Sequence, residues 1–366
     1  MGIDVAPGAQ SYESYMVQLM GWNIPAEHME LVHPHWRSYE SPSKYWHFGF
    51  AFLYTILMFM SLLGNGVVIW IFATTRSLRT PSNVFVVNQA AFDLLMMLEM
   101  PMFIISSLFY QRPIGWETGC DVYALLGAVS GIGSAINGAA IAYDRYRTIS
   151  FPLDGRLKFG HALGLVAVTW AWTLPFSILP LLKVWGRYVP EGFLTTCSFD
   201  YLTEDEDTRV FVGSIFTWSY AFPLTLIVFF YSRLFNQVRV HEMMIKEQAK
   251  KMNVKSLQSN QKDDKSVEIR IAKVAFAIFF LFLCSWTPYA TVAIIGAFGN
   301  RAILTPMSTM IPALTAKIVS CINPWIYAIN HPRYRAELLK RAPWCAVTQL
   351  NLSETASVAT ENTVES

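Results

Sequence analysis

The sequence predicts an all-α membrane protein: a seven-transmembrane helix bundle with a short amphipathic helix after the last span. Three observations carry this. Of 366 residues, 53% are hydrophobic and 15% charged, whereas a soluble chain carries about a quarter charged residues. Seven apolar segments are each long enough to cross roughly 30 Å of hydrocarbon. Lysine and arginine crowd the connections that follow odd-numbered segments, which orients all seven.

The segments lie near 48–72, 82–108, 120–143, 161–182, 210–235, 271–297 and 303–329. Arg76 and Arg79 follow the first, and Arg147, Arg156 and Lys158 the third. Arg239, Lys246, Lys250, Lys251, Lys255, Lys262 and Lys265 follow the fifth; Arg333, Arg335, Lys340 and Arg341 follow the seventh. These connections are therefore expected in the cytoplasm, with the N-terminus outside and the C-terminus inside. The opening MGIDVAPGAQSYESY lacks the basic-then-apolar pattern of a cleavable signal, so the first span should direct insertion. Residues 1–47 form the extracellular segment, 48–330 the bundle, 331–343 the amphipathic helix and 344–366 a disordered tail. The connection 236–270 is polar and helix-prone, and should prolong its flanking helices into the cytoplasm.

Composition also excludes functions. A net charge of +2, with no basic tract interleaved with aromatics, argues against nucleic acid. No phosphate-binding loop, zinc-type His/Cys spacing or Ser/His/Asp motif stands out, so neither an enzyme nor a metal site is expected. Among five cysteines, Cys284 and Cys321 fall within spans and Cys345 in the cytoplasm. Only Cys120 and Cys197 share the oxidising side, so a disulfide between them should tether the acidic loop after span 4 across the bundle mouth.

Polar residues inside the spans need a partner or a function. Asn65 lies in span 1, Asp93 in span 2, and Asn323 beside Pro324 in span 7. Together they could solvate the backbone break that Pro324 creates, either as structural glue or as part of a switch. Lys317 stands near the middle of the seventh span, about 9 Å outward of Asn323. An isolated ammonium there costs roughly 2.5–3.5 kcal/mol. It is either half of a structural ion pair or an amine available to condense with an aldehyde. Trp286 and Tyr289 share a face of span 6 beside Pro288, and Asp144-Arg145-Tyr146 ends span 3.

Taken in order, Gly64-Asn65, Asp93, Cys120, Asp144-Arg145-Tyr146, Trp170, Pro223, Cys-Ser-Trp286-Thr-Pro288 and Asn323-Pro324-Trp-Ile-Tyr327 resemble a rhodopsin-like G-protein-coupled receptor. The resemblance runs from about 48 to 343. Within that family, a lysine six residues before the Asn-Pro pair resembles the opsin signature. The stretches RSLRTPSN, GRYVPEG, HEMMIKEQAKKMNVKSL and HPRYRAEL resemble insect visual opsins.

The resemblance implies that Lys317 forms a Schiff base with retinal or its 3-hydroxy derivative. A protonated Schiff base is a buried cation and keeps its proton only beside a carboxylate. Vertebrate pigments place a glutamate three residues after the span 3 cysteine, where this chain has Tyr123. The implied counterion is Glu191, with Tyr123 as a hydrogen-bond partner. Gly127, Gly131, Phe199, Tyr220, Trp286, Tyr289 and Ala313 complete the implied pocket. Ultraviolet-absorbing insect opsins tend to carry a lysine where this chain has Glu99. A glutamate should favour protonation and a visible, blue-absorbing pigment.

For signalling, the resemblance implies that Arg145 pairs with Glu268 at rest. Tyr231 and Tyr327 would fill the crevice when span 6 moves, after which a Gq-type G protein, a receptor kinase and arrestin bind. It further implies the plasma membrane of photoreceptor cells, in rhabdomeric microvilli. The competing readings are a receptor for a diffusible ligand, which would not need Lys317; a retinal photoisomerase, which would not need Asp144-Arg145-Tyr146; and a light-driven ion pump, for which spans 3 and 5 lack a carboxylate path.

Overall fold

The computed structural model describes residues 18–151, 154–252 and 257–342. Cys345 and the Ser/Thr-rich tail lie outside the described residues, as do the side chains of Glu268 and Tyr327. A four-residue helix α1 (Pro34–Arg37) precedes the first span, α2 (Lys44–Thr74). The second span comprises α3 (Pro81–Leu98), α4 (Met100–Ile105) and a wide turn to Tyr110. Helices α5 (Trp116–Ser150) and α6 (Phe159–Leu181) are the third and fourth spans. Strands β1 (Tyr188–Glu191) and β2 (Thr196–Phe199) follow, then α7 (Glu206–Phe216) and α8 (Phe222–Met252) as the fifth span. Helix α9 (Leu257–Phe298), α10 (Pro306–Asn330) and α11 (Pro332–Arg341) complete the chain.

Local chemistry sets several of these boundaries. Pro81 opens α3 and Pro332 opens α11, where a missing N–H leaves no helical bond unmade. The Asp205 carboxylate accepts the Thr208 N–H at 2.6 Å and caps α7. As the polar composition of 236–270 led one to expect, α8 runs on to Met252 and α9 begins at Leu257.

Helix α5 occupies the middle of the bundle, in contact with α3, α6, α8 and α9, while α10 wedges between α9 and α2. Among the described residues, six helices are long and apolar enough to cross a membrane. Helix α10 takes the seventh place in the bundle but is made less apolar by Thr309, Thr315, Lys317, Ser320 and Asn323.

Pro324 has no N–H for the Ser320 carbonyl one turn earlier. That carbonyl instead accepts hydrogen bonds from Asn65 Nδ2 at 2.9 Å and Ser61 Oγ at 3.0 Å. Asn323 Nδ2 donates to Asp93 Oδ2 at 2.8 Å. The buried amides and carboxylate of three spans thus absorb the break in α10. Gly64 makes the approach close enough: a Cβ there would lie 2.9 Å from the Pro324 ring.

A lid closes the outer face. Strands β1 and β2 pair antiparallel, Pro190 opposite Cys197 and Glu191 opposite Thr196. A Cys120–Cys197 disulfide ties β2 to the start of α5, as the cysteine topology predicted. Above it, Met20, Ile24, Val32 and Trp36 of the N-terminal segment bury against Tyr201, Leu202 and Leu304. The lid's own anchor is Asp200, which accepts hydrogen bonds from the Thr203 hydroxyl, the Leu202 N–H and the Arg187 guanidinium.

Burial alone would push the Asp200 carboxyl up, but these donors outweigh it and hold it below its ordinary value of 3.8. A group depressed in this way contributes stability above its unfolded value and loses it as pH falls through the folded one. Protection against amide exchange in 187–203, taken relative to the unfolded chain at each pH, should therefore be constant between pH 7 and about 5 and fall below about 4. In Asp200→Asn the protection should already be reduced at pH 7.

Candidate functional site

Lys317 is 8% exposed and comes from the middle of α10. Its Nζ lies 2.9 Å from Glu99 Oε1, and the Tyr123 ring centre is 5.7 Å from the same nitrogen. Glu99 sits at the break between α3 and α4. Pro101 has no N–H to give to the Met97 carbonyl, which takes the Glu99 N–H instead. The break turns the glutamate into the bundle, where it is fully buried. Among the described residues Lys317 is its only polar side-chain partner. Gly127 opposite leaves it room, since a Cβ there would lie 2.8 Å from Glu99 Oε2.

A second carboxylate approaches from the lid. Glu191 ends β1 and is 4% exposed. Tyr201 donates to its Oε2 at 2.8 Å, and Tyr289 reaches Oε1 at 3.1 Å and Oε2 at 3.2 Å. Tyr289 also bonds Ser198. Burial pushes the Glu191 carboxyl above its ordinary range, against the two tyrosine hydrogen bonds and the Lys317 charge. The amine therefore faces two unlike acids. Glu99 is dry and touches it directly; Glu191 is held by hydroxyls and reaches it through space.

One cavity joins these groups. Lys317, Glu99, Glu191, Tyr123, Gly127, Gly131, Phe199, Tyr220, Trp286, Tyr289 and Ala313 all line it. Every pocket residue expected from sequence is therefore in one place. Trp286 stands edge-on to Tyr289, with ring centres 6.3 Å apart. It presses on α5 where only hydrogen fits, because a Cβ at Gly131 would lie 2.4 Å from the indole. Tyr220 hydrogen-bonds Thr287 at 2.5 Å.

Two details differ from the sequence reading. The Tyr123 hydroxyl is buried with no hydrogen-bond partner among the described residues, so its contact with Lys317 is through the ring. Tyr201 and Ser198, not expected from sequence, complete the Glu191 network. Both follow Glu191 in the same loop, and only the hairpin register brings them back to it.

At the end of the bundle away from the lid, Asp144 is fully buried, accepts a hydrogen bond from Ser82 at 3.1 Å and lies 3.3 Å from Arg145. Tyr146 packs on Phe230, and buried Tyr231 on Phe276. The expected Arg145–Glu268 pair lies outside the described residues, as does the Tyr327 side chain.

Comparison with known proteins agrees with this architecture. Residues 64–327 match the model of the 7 transmembrane receptor (rhodopsin family). The chain is 68% identical to Opsin-2 of Schistocerca gregaria, over 98% of this chain and 96% of the relative. It is 61% identical to the blue-sensitive opsin of Apis mellifera, over 95% and 91%. The crystal structure of squid rhodopsin superposes with a TM-score of 0.81 at 32% identity, covering 86% of this chain and 90% of that one. The protein belongs to the rhodopsin family of seven-transmembrane receptors, a family of receptors and not of enzymes. Within it the chain groups with the insect opsins, and the identity to a blue-sensitive member supports that branch.

The Lys317–Glu99 pair has a consequence for stability that needs no ligand. Removing one member of a buried pair leaves an uncompensated charge and costs about 3–5 kcal/mol. Lys317→Met should lower the thermal midpoint of the ligand-free protein accordingly, and the double variant Lys317→Met/Glu99→Gln should recover most of the loss. Equal melting of the single and double variants would show that the pair is not formed.

Proposed function

We propose that this receptor is a visual pigment that carries retinal, or its 3-hydroxy derivative, as a protonated Schiff base on Lys317. The observation that carries this reading is a buried amine, opening into an apolar cavity, with two carboxylates arranged around it. The fit is chemical as well as spatial. The cavity is lined mostly by apolar and aromatic side chains, and its polar groups gather at the lysine end. Retinal, when bound, would supply the light absorption and the change of shape.

The chain's own residues do the rest. Glu191, its carboxylate fixed by Tyr201 and Tyr289, serves as counterion from the lid. Glu99 places a second negative charge beside the nitrogen, which favours the protonated form and a visible, blue-shifted band. Trp286, lodged against Gly131, is the side chain that a change of shape in the cavity must displace. Pro288 lies one residue beyond Thr287 in α9 and gives that helix its bend.

Movement of α9 is transmitted to Asp144, Arg145 and Tyr146, with Glu268 as the resting partner of Arg145. Tyr231 and Tyr327 support the opened state. Asn65, Asp93, Asn323 and Pro324 allow α10 to follow. This is a two-state element biased by ligand shape, which is what a population shift requires. The partners proposed are a Gq-type G protein, a receptor kinase and arrestin. The proposed location is the plasma membrane of photoreceptor microvilli, with the N-terminus outside.

Reconstitution of the purified protein with 11-cis-retinal tests the reading. A visible band should form, vanish in Lys317→Ala, and be fixed to the α10 peptide by borohydride. Light should then stimulate nucleotide exchange on a Gq-type G protein. Removing the counterion destabilises the cation, so Glu191→Gln should convert the band to a near-ultraviolet one at a lower pH than in the unsubstituted protein. Absence of any retinal adduct on Lys317 would refute the proposal.

A further inference from the structure

We propose that Glu99 is also the catalytic proton carrier for attachment of the aldehyde to Lys317. The inference rests on the Schiff-base reading above but concerns how the ligand-free protein is loaded. An ammonium has no lone pair and cannot attack a carbonyl carbon, so the amine must first lose a proton. In the interior of a bundle that proton reaches bulk water only slowly. Among the described residues one acceptor is in contact, the Glu99 carboxylate at 2.9 Å.

The surroundings of Glu99 suit this task. The carboxylate is fully buried and receives no hydrogen bond from any described group other than Lys317. A buried ion pair suffers desolvation of both charges, and passing one proton across the contact removes both charges at once. Glu191 is differently placed. Tyr201 and Tyr289 already donate to its oxygens, and it acts on the amine through space and not by contact. The two acids therefore divide the work: Glu191 acts on Lys317 from a distance, while Glu99, in contact with it, takes up and returns the proton.

The proton balance closes without any further reactant. Glu99 accepts one proton from the Lys317 ammonium, and the freed nitrogen lone pair forms the bond to the aldehyde carbon. The carbonyl oxygen departs as water with two protons, one from the nitrogen and one returned by Glu99. Ammonium plus aldehyde becomes a protonated imine plus water, Glu99 ends as the carboxylate it began as, and nothing is oxidised or reduced. The same geometry read backwards makes Glu99 the acceptor and donor for hydrolytic release.

The test is the rate of covalent attachment, measured in the dark on the full-length ligand-free protein. 11-cis-Retinal is added, aliquots are quenched with borohydride, and the adduct on the α10 peptide is quantified by mass spectrometry. Glu99→Gln is expected to slow attachment by about 100-fold, the usual contribution of a positioned acid–base group. Loss of packing alone would not alter the pH profile, and loss of the charge alone would favour the neutral amine and speed loading, whereas loss of proton carriage slows loading and makes it pH-dependent. The unsubstituted protein should load at a nearly constant rate between about pH 6 and 8, and Glu99→Gln should vary by about tenfold per unit because solvent must exchange the proton.

If Glu99→Gln does not fold, Glu99→Asp decides. It keeps the acid but draws it back by one methylene, so slowed loading with a flat pH profile supports the proposal and an unchanged rate overturns it. Equal rates for Glu99→Gln and the unsubstituted protein, or equally flat profiles, also overturn it. Failure of the unsubstituted protein to form any adduct would instead remove the Schiff-base reading itself, so the two failures are distinguishable.

Discussion

The constraint on which the rest of this structure depends is a charge kept away from water. Lys317 sits in the interior of the bundle with its nitrogen 2.9 Å from Glu99. Each partner alone would be strongly unfavourable there. Their contact requires α10 and the second span to meet at a defined depth. It also requires the second span to break at Glu99, since a straight helix would not present that side chain in the same way. Pro101 and the missing hydrogen bond at Met97 supply the break. The site and the helix geometry are thus one problem with one solution.

The same logic of unmade backbone bonds recurs further from the lid. Pro324 frees the Ser320 carbonyl, and Asn65 and Ser61 of the neighbouring span claim it. A helix whose break is repaired by side chains from another helix can move only if those hydrogen bonds rearrange. Below the cavity, Asn323 continues this set to Asp93, so the polar groups of spans 1, 2 and 7 form one unit. The aromatic wedge of Trp286 against Gly131 stands between the cavity and that unit, where a packed interior transmits displacement instead of absorbing it.

The outer face shows why a lid is needed at all. A carboxylate that acts on the amine from a distance must be held rigidly, because a mobile one would hydrate and lose its effect. Two tyrosines fix Glu191, and the disulfide holds the hairpin strand beside it. Burial of Trp36 and Val32 of the N-terminal segment against Tyr201, Leu202 and Leu304 covers the loop from above. The Asp200 anchor keeps the loop from unravelling without contributing to the cavity.

Hydropathy and the bias of lysine and arginine were enough to determine the seven spans and their expected direction, because crossing hydrocarbon leaves a chain few alternatives. The position of Cys120 and Cys197 on one side likewise determined their pairing. The motif residues that resemble a family implied one pocket for Lys317, Trp286 and Tyr289. Partner choice was different. Which of two carboxylates touches the amine, that Tyr123 offers its ring, and that Tyr201 returns to Glu191 were decided only by tertiary structure. The reason is physical: membrane insertion is read from composition along the chain, whereas hydrogen bonds depend on ångström distances between segments that a helix break or a hairpin register alone can set.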